Sequence, residues 1–217
     1  MAEINLLNTY PNINRDVEGR FKQITEEHHK IARQFGKEFF DGDRLAGYGG
    51  YKYDGRWISV VERFRDYYGL TPESSILDVG CAKGFMLYDF MRVIPGIKVA
   101  GVDISRYAID NAMESVKPFV MVANAKDLPF EDKSLDLVIS ITTIHNLLLE
   151  ECKRAIREVQ RVSRKHAFIT LDSYHNEIER DRMEKWNLTA LTYMSVEEWK
   201  RLFTEVGYTG DYYWFIP

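Results

Sequence analysis

Cysteine is scarce in this chain: Cys81 and Cys152 are the only two among 217 residues. One falls in a glycine turn and the other in an expected helix, so a disulfide framework is excluded and a reducing cytosol suits the chain. Long apolar runs are also missing, and no stretch is able to span a membrane. Met1-Ala2-Glu3-Ile4-Asn5 lacks a basic region followed by an apolar one, so no secretory leader is visible. These absences predict a cytoplasmic protein with no membrane contact. Repeats of fixed period and low-complexity tracts are absent. Excess positive charge is absent too: 29 Lys and Arg against 33 Asp and Glu give a formal charge of -4. That argues against a nucleic-acid partner held through its phosphate backbone. Apolar residues make up 45%, enough for a large core and too many for disorder.

What is present is concentrated in Ile76-Leu77-Asp78-Val79-Gly80-Cys81-Ala82-Lys83-Gly84. An apolar run ends in an acid, glycines follow at Gly80 and Gly84, and a helical pattern begins at Phe85. This reads as a strand, a tight turn and a helix N-terminus. The turn lets backbone approach a ligand, and the helix start offers free N–H groups. Such an element binds a nucleotide-like cofactor.

Ahead of it, Phe21, Ile24, His28, Ile31, Phe35 and Phe39 recur at helical spacing, predicting one amphipathic helix from about Asp16 to Phe40. A Gly- and Tyr-rich loop from Gly47 to Trp57 reads as a lid, and a second helix runs from Trp57 to Gly69. From Ser75 onward strands alternate with helices. The expected strands are Ile76–Val79, Lys98–Val102, Phe119–Val122, Leu135–Ile141, Ala167–Leu171 and one near Asp211–Ile216. The expected helices lie near Phe85–Val93, Arg106–Ser115, Leu147–Val162 and Val196–Val206. Alternation with Val/Ile/Leu-rich strands predicts an α/β fold with a doubly wound, mostly parallel sheet. The expected division is an N-terminal helical cap or lid over residues 1–74 and a cofactor-binding unit over 75–217. The ligand then lies across the carboxyl ends of the strands.

The second strand ends in Val102-Asp103, nineteen residues after Gly84, which places an acid to accept from ribose hydroxyls. The third leads into Asn124-Ala125-Lys126-Asp127-Leu128-Pro129-Phe130, and the fourth follows Ser134-Leu135-Asp136-Leu137-Val138. Together with the first turn and Gly101-Val102-Asp103-Ile104-Ser105, these motifs resemble the class I S-adenosylmethionine-dependent methyltransferases. The branch they resemble contains the ubiquinone- and menaquinone-biosynthesis enzymes. The resemblance covers roughly Ser75 to Tyr174. It implies a Rossmann-like methyltransferase fold and S-adenosylmethionine as cofactor. It places Asp78, Gly80, Cys81 and Gly84 along the methionine part, Asp103 on the ribose and Ile104 against the adenine. Asn124 and Ala125 meet the adenine edge, and Ser140 or Ile141 lies near the methionine backbone. Four departures stand out. Ala82 replaces the middle glycine, which predicts a slightly wider loop, and Asn124 replaces an acid. Arg164-Lys165-His166 replaces a Pro-Gly-Gly turn. The short C-terminus has room for one strand after Gly207-Tyr208, so the final strand of the family is expected to be missing or truncated.

Several residues keep two readings on sequence alone. Asp103 is a ribose ligand or a cap for the helix at Arg106, and Asn124 an adenine contact or a turn former. Arg56 is a partner for the cofactor carboxylate or a surface arginine. His145 is a general base for a hydroxyl or ammonium acceptor, or a helix-start residue that bonds a loop. Asp136 reads as a solvated strand-start residue. Asp172, Ser173, Tyr174 and His175 lie on the same rim, and substrate contacts are expected among Asp172, Tyr174, His175, Tyr48, Tyr51, Tyr53 and His28. His28 also reads as a partly buried helix residue. Glu26, Glu27, His28 and His29 point in different directions on a helix, so no metal site is expected. The aromatic additions, Trp57, Trp186 and Tyr193 among them, suggest a partly enclosed pocket suited to a ring or a cationic amine. The functional expectation is O- or N-methylation of a small-molecule acceptor. The alternatives are a non-catalytic cofactor-binding protein and a nicotinamide-dependent oxidoreductase. The latter is disfavoured because the first turn lacks Gly-x-Gly-x-x-Gly. The identity of the acceptor and the oligomeric state are not encoded legibly.

Overall fold

A computed structural model describes residues 1–11 and 15–217. Three short helices, α1 (Val17–Phe21), α2 (Glu26–Ala32) and α3 (Lys37–Asp41), precede α4 (Ile58–Tyr68). There follow β1 (Ser75–Val79), α5 (Phe85–Val93), β2 (Lys98–Asp103), α6 (Arg106–Asp110), β3 (Val120–Val122) and β4 (Leu135–Ile141). The last third holds α7 (Leu149–Val162), β5 (Ser163–Tyr174), α8 (Glu177–Trp186), β6 (Met194–Ser195), α9 (Val196–Val206) and β7 (Asp211–Phe215). Among the described residues no helix is long and apolar enough to cross a membrane.

The sheet runs β3-β2-β1-β4-β5, with β7 and the two-residue β6 both beside β5. Every strand pairing is parallel. The order reverses between β1 and β4, which makes that junction the switch point where a crevice opens. Register aligns the motif residues there: Asp78 lies opposite Gly101 and Ile139, and Asp103 opposite Val122. β4 is buried along almost its whole length, as its Leu-, Val- and Ile-rich sequence requires.

Helices cover both faces. On one, Cys152, Ile156 and Val159 of α7 and Trp199 and Phe203 of α9 pack against Val138, Ile169 and Leu171. On the other, Val60 and Phe64 of α4 and Phe90 of α5 meet Ile76, Ile139 and Phe168. Leu6 joins this second cluster, so the N-terminal segment and the sheet share a core. Residues 2–4 also run beside β7, with Ile4 N donating to Tyr212 O at 2.9 Å and Tyr212 N to Ala2 O at 3.0 Å. One strand follows Gly207, as the short C-terminal sequence predicts, and its outer edge is covered by this N-terminal segment.

Four differences from the sequence reading have clear causes. The expected helix over Asp16–Phe40 is three helices. Thr25 starts a new one in a capping box with His28, and Phe35 takes a left-handed φ of 48° before Gly36 begins the third. The expected helix from Arg106 stops at Asp110, where Asn111 leaves helical geometry. β5 starts directly at Ser163 without a turn, because Arg164 and Lys165 both reach Asp136 at 2.8 and 2.9 Å. Asp136 is therefore structural but buried, at 3% exposure, and not solvated. Finally α8 was not expected: its only buried residue is Met183, so it has no apolar stripe to read. Asn176 caps it by accepting from Ile178 N and Glu179 N.

Candidate active site

A cavity of about 1020 Å³ opens over the carboxyl ends of β1, β2, β3, β4 and β5 and is roofed by the N-terminal segment. The β1 turn forms its floor. Gly80 has φ 91°, and a Cβ built on it would stand 2.0 Å from Thr143 Oγ1, so only glycine fits beneath the β4 loop. Ala82 takes φ 50°, the left-handed conformation a glycine adopts freely, so its methyl is accommodated by backbone strain. Its amide then donates to Asp103 Oδ2 at 2.8 Å, while Ser105 N donates to Asp103 Oδ1 at 2.8 Å. Ser105 itself caps α6 through Ala108 N. The two readings of Asp103 thus separate: Ser105 caps the helix, and Asp103 is held at the cavity wall with lone pairs to spare. Burial raises its pKa, against the pull of the two amides.

Asp78 is 6% exposed and lines the same wall. Burial, and then the charge of Asp103, pushes its carboxyl up to about 7. Ile104 is 54% exposed although apolar, and its free face looks into the cavity. Asn124 lines the cavity while its Oδ1 accepts from Lys126 N at 3.1 Å, so it is a turn former at the site. Cys81, Ala125 and Ile141 line it as well. A fixed acid for a diol, an exposed apolar face for a base and a buried carboxylate suited to a cation fit an adenosyl sulfonium.

Beyond β4, His145 and Asp172 form a buried pair, with Nε2 to Oδ1 at 3.5 Å. Asp172 N also donates to His145 Nδ1 at 3.1 Å, so the neutral ring carries its proton on Nε2, towards the carboxylate. Burial lowers the His145 pKa, with Asp172 opposing, and burial raises that of Asp172. In this geometry Nδ1 accepts from the Asp172 amide and Nε2 is directed at the Asp172 carboxylate. Asp172 is the group at this position able to accept a proton.

Aromatic contacts hold the loop over residues 47–57. Tyr51 stacks on Phe85 at 4.7 Å and meets Tyr48 at 4.4 Å. Tyr48 is 46% exposed, and that surface faces the cavity. Lys83, inside the glycine turn, reaches Asp41 on α3 at 2.7 and 2.8 Å and Tyr51 O at 3.0 Å. Tyr107 adds a hydroxyl to the same Asp41 carboxylate at 2.7 Å.

Several sequence-selected residues lie outside the cavity lining. Gly84 is the N-cap of α5. Ser140 is fully buried and donates to Val79 O. Arg56 is held by Asp54 and turns to Tyr10. Tyr53 donates to Asp89 at 2.6 Å, tying the loop over residues 47–57 to α5. His28 accepts from Thr25 N as a cap. Tyr174 and Tyr193 are also absent from the wall, whereas His175, Trp57 and Trp186 contribute to it. Sequence reasoning missed Thr142 and Thr143, and a set of cavity-lining arginines, Arg15, Arg20, Arg33 and Arg44. Helical spacing does not distinguish an arginine facing a cavity from one facing solvent.

Residues 77–171 match the family model described as a methyltransferase domain. An uncharacterised protein of Haemophilus influenzae is 29% identical over 153 residues, 64% of this chain and 60% of that protein. A tRNA (carboxymethyluridine(34)-5-O)-methyltransferase of Arabidopsis thaliana is 34% identical over 132 residues, 60% of this chain and 31% of that protein. The chain thus spans 60% or less of these relatives' own length. Among solved structures, the YcgJ protein of Bacillus subtilis superposes with a TM-score of 0.55 at 19% identity, covering 67% of this chain and 66% of that one. At that identity the likeness is one of fold. Over residues 77–171 the chain is thus similar to methyltransferase domains, a family whose cofactor is S-adenosylmethionine, and it carries the corresponding Rossmann-like sheet.

Proposed function

We propose that the chain methylates an oxygen or nitrogen of a small molecule. The observation that carries this reading is one roofed cavity that joins the Asp78–Asp103 wall to the Asp172 wall. Asp103 holds the ribose hydroxyls, Ile104 and Ala125 flank the adenine, and Asp78 faces the cationic methionine end. S-adenosylmethionine supplies an activated methyl group on its sulfonium. The chain's own task is then to align a nucleophile and to exclude water. Tyr48 and Tyr51 exclude it from above. Asp172 accepts the proton of a hydroxyl or ammonium acceptor, with His145 keeping it in place. On its four motifs the reading extends to the branch containing the ubiquinone- and menaquinone-biosynthesis enzymes, to a cytoplasmic setting, and to residues 1–74 acting as a lid over 75–217.

A second reading, methylation of tRNA, is favoured by the named activity of the Arabidopsis relative. The formal charge of -4 weighs against it. Incubation with methyl-labelled S-adenosylmethionine separates the two. Label is expected in a filtered small-metabolite extract and absent from bulk tRNA, and Asp172→Asn is expected to lower the rate by about 100-fold or more. Label confined to tRNA, or an Asp172→Asn enzyme as fast as the wild type, contradicts the assignment.

A further inference from the structure

We propose that the substrate carries an oxyanion, a carboxylate or a phosphate, and that Arg15, Arg20 and Arg44 bind it in the acceptor half of the cavity. The inference rests on the methyl-transfer reading above. All three side chains line the cavity that also holds Asp78 and Asp172. Among the described residues no carboxylate offsets the charge of Arg15 or Arg20: the Tyr10 phenol favours the charged form of Arg15, and Arg44 repels them both. Residues 12–14 are Asn-Ile-Asn and supply no carboxylate side chain.

Arg20 is the most telling. Its Nη1 donates to Trp186 O at 3.1 Å, but its buried Nε has no partner among the described residues. Burial, and then Arg44, lowers its pKa to about 10. A half-buried guanidinium with a buried, unpartnered Nε and no counter-ion among the described residues is disfavoured, and an entering anion offsets that cost. Guanidinium forks match the two oxygens of a carboxylate or phosphate, which a compact ammonium does not.

The position in the fold separates this cluster from the cofactor. Arg20 stands over the Trp186 ring at 4.8 Å, and Arg15 lies 4.9 Å from the Phe215 ring and 5.5 Å from that of Trp186. Trp186 ends α8 and Phe215 ends β7, both on the β5 side of the sheet. Asp78 and Asp103 lie at the ends of β1 and β2, and Asn124 follows β3, on the other side of the switch point. Arg15 and Arg20 therefore lie across His145 and Asp172 from the cofactor motifs, while Arg44 reaches them from the loop at Gly47. Arg15 and Arg20 also occupy the Trp186 face that the sequence reading had offered to a cationic amine. Because the charges line a roofed cavity, the fitting partner is a small anion and not a nucleic-acid backbone.

Calorimetry on the protein loaded with S-adenosylhomocysteine tests this with three probes: benzoate, phenyl phosphate and the neutral benzamide. At least one anion is expected to bind about tenfold or more tightly than benzamide. The tighter of the two anions identifies the oxyanion as carboxylate or phosphate. Arg15→Gln, which removes a side chain with no hydrogen bond among the described residues, is expected to erase the preference and leave S-adenosylhomocysteine affinity unchanged. Benzamide binding as tightly as both anions overturns the proposal, a result that needs no variant. An Arg15→Gln loss shared equally by S-adenosylhomocysteine overturns it too, assigning the cluster to the cofactor carboxylate. Displacement of the bound anion by bulk tRNA also overturns it. If S-adenosylhomocysteine fails to bind, the methyl-transfer reading falls separately, and the same three probes decide the anion question on the unloaded protein.

Discussion

Ala82 and Thr142 both hold left-handed backbone, at φ 50° and 49°, and both line the cavity. An L side chain in that region costs about 1–2 kcal/mol, and a β-branched one such as threonine is an outlier. At Ala82 the strain has a visible return, because it aims the amide that fixes Asp103. Thr142 N is held by both the carbonyl and the hydroxyl of Thr170. Asp78 shows a different cost, that of burying a carboxylate beside Asp103, which pushes its pKa up to about 7. Below that value the ligand-free carboxyl keeps its proton, and a cation placed beside it favours the ionised form. Binding of S-adenosylmethionine at about pH 6 is therefore expected to release close to one proton, with affinity rising towards pH 7. Calorimetry in buffers of different ionisation enthalpy reads the release directly, and Asp78→Asn is expected to abolish it. Proton uptake, or no exchange in the wild type, contradicts this role for Asp78.

At the scale of elements, the junction of β1, β4 and β5 hangs on Asp136. Its Oδ2 accepts from Ser75 N at 2.9 Å, and Oδ1 faces Arg164 and Lys165. Burial alone would raise its pKa, but these donors hold it well below the usual carboxylate range. A depressed folded pKa means that its stabilisation is complete above the unfolded value near 3.9 and is lost as pH falls below it. Asp136→Ala is expected to cost about 2–3 kcal/mol at neutral pH in urea unfolding, and less in acid. A loss independent of pH argues against the ionic account. The strands of this junction were legible because β1, β4 and the middle of β5 are rich in Val, Ile and Leu, and α7 and α9 because their stripes are regular. The acids at the ends of β1 and β2 were legible because their spacing from the glycine turn is set by the crossover. Less legible were the elements decided by single contacts. The Thr25–His28 cap and the Phe35–Gly36 break split a helix whose apolar periodicity continues across them. The two readings of His145 stayed open in the sequence because its tautomer depends on Asp172 N, a group far along the chain.

For the molecule as a whole, the N-terminal region and the sheet are packed together at two places. Leu6, Val60 and Phe64 share a core with Phe90 and Phe168, and Lys83 ties the cofactor turn to Asp41. Burial alone would raise the Asp41 pKa, but hydrogen bonds from Lys83 and Tyr107 keep it below the usual value. The roof over the cavity is thus linked to the turn that forms its floor, and a ligand on that turn touches both. The account depends on an adenosyl sulfonium lying between them, against Asp103. Isothermal titration of the folded chain with S-adenosylmethionine tests this most directly. Saturable single-site binding is expected, weakened by about 1–3 kcal/mol in Asp103→Ala through loss of hydrogen bonds to a charged group. A folded wild type that binds none, or a variant that binds equally well, contradicts the account.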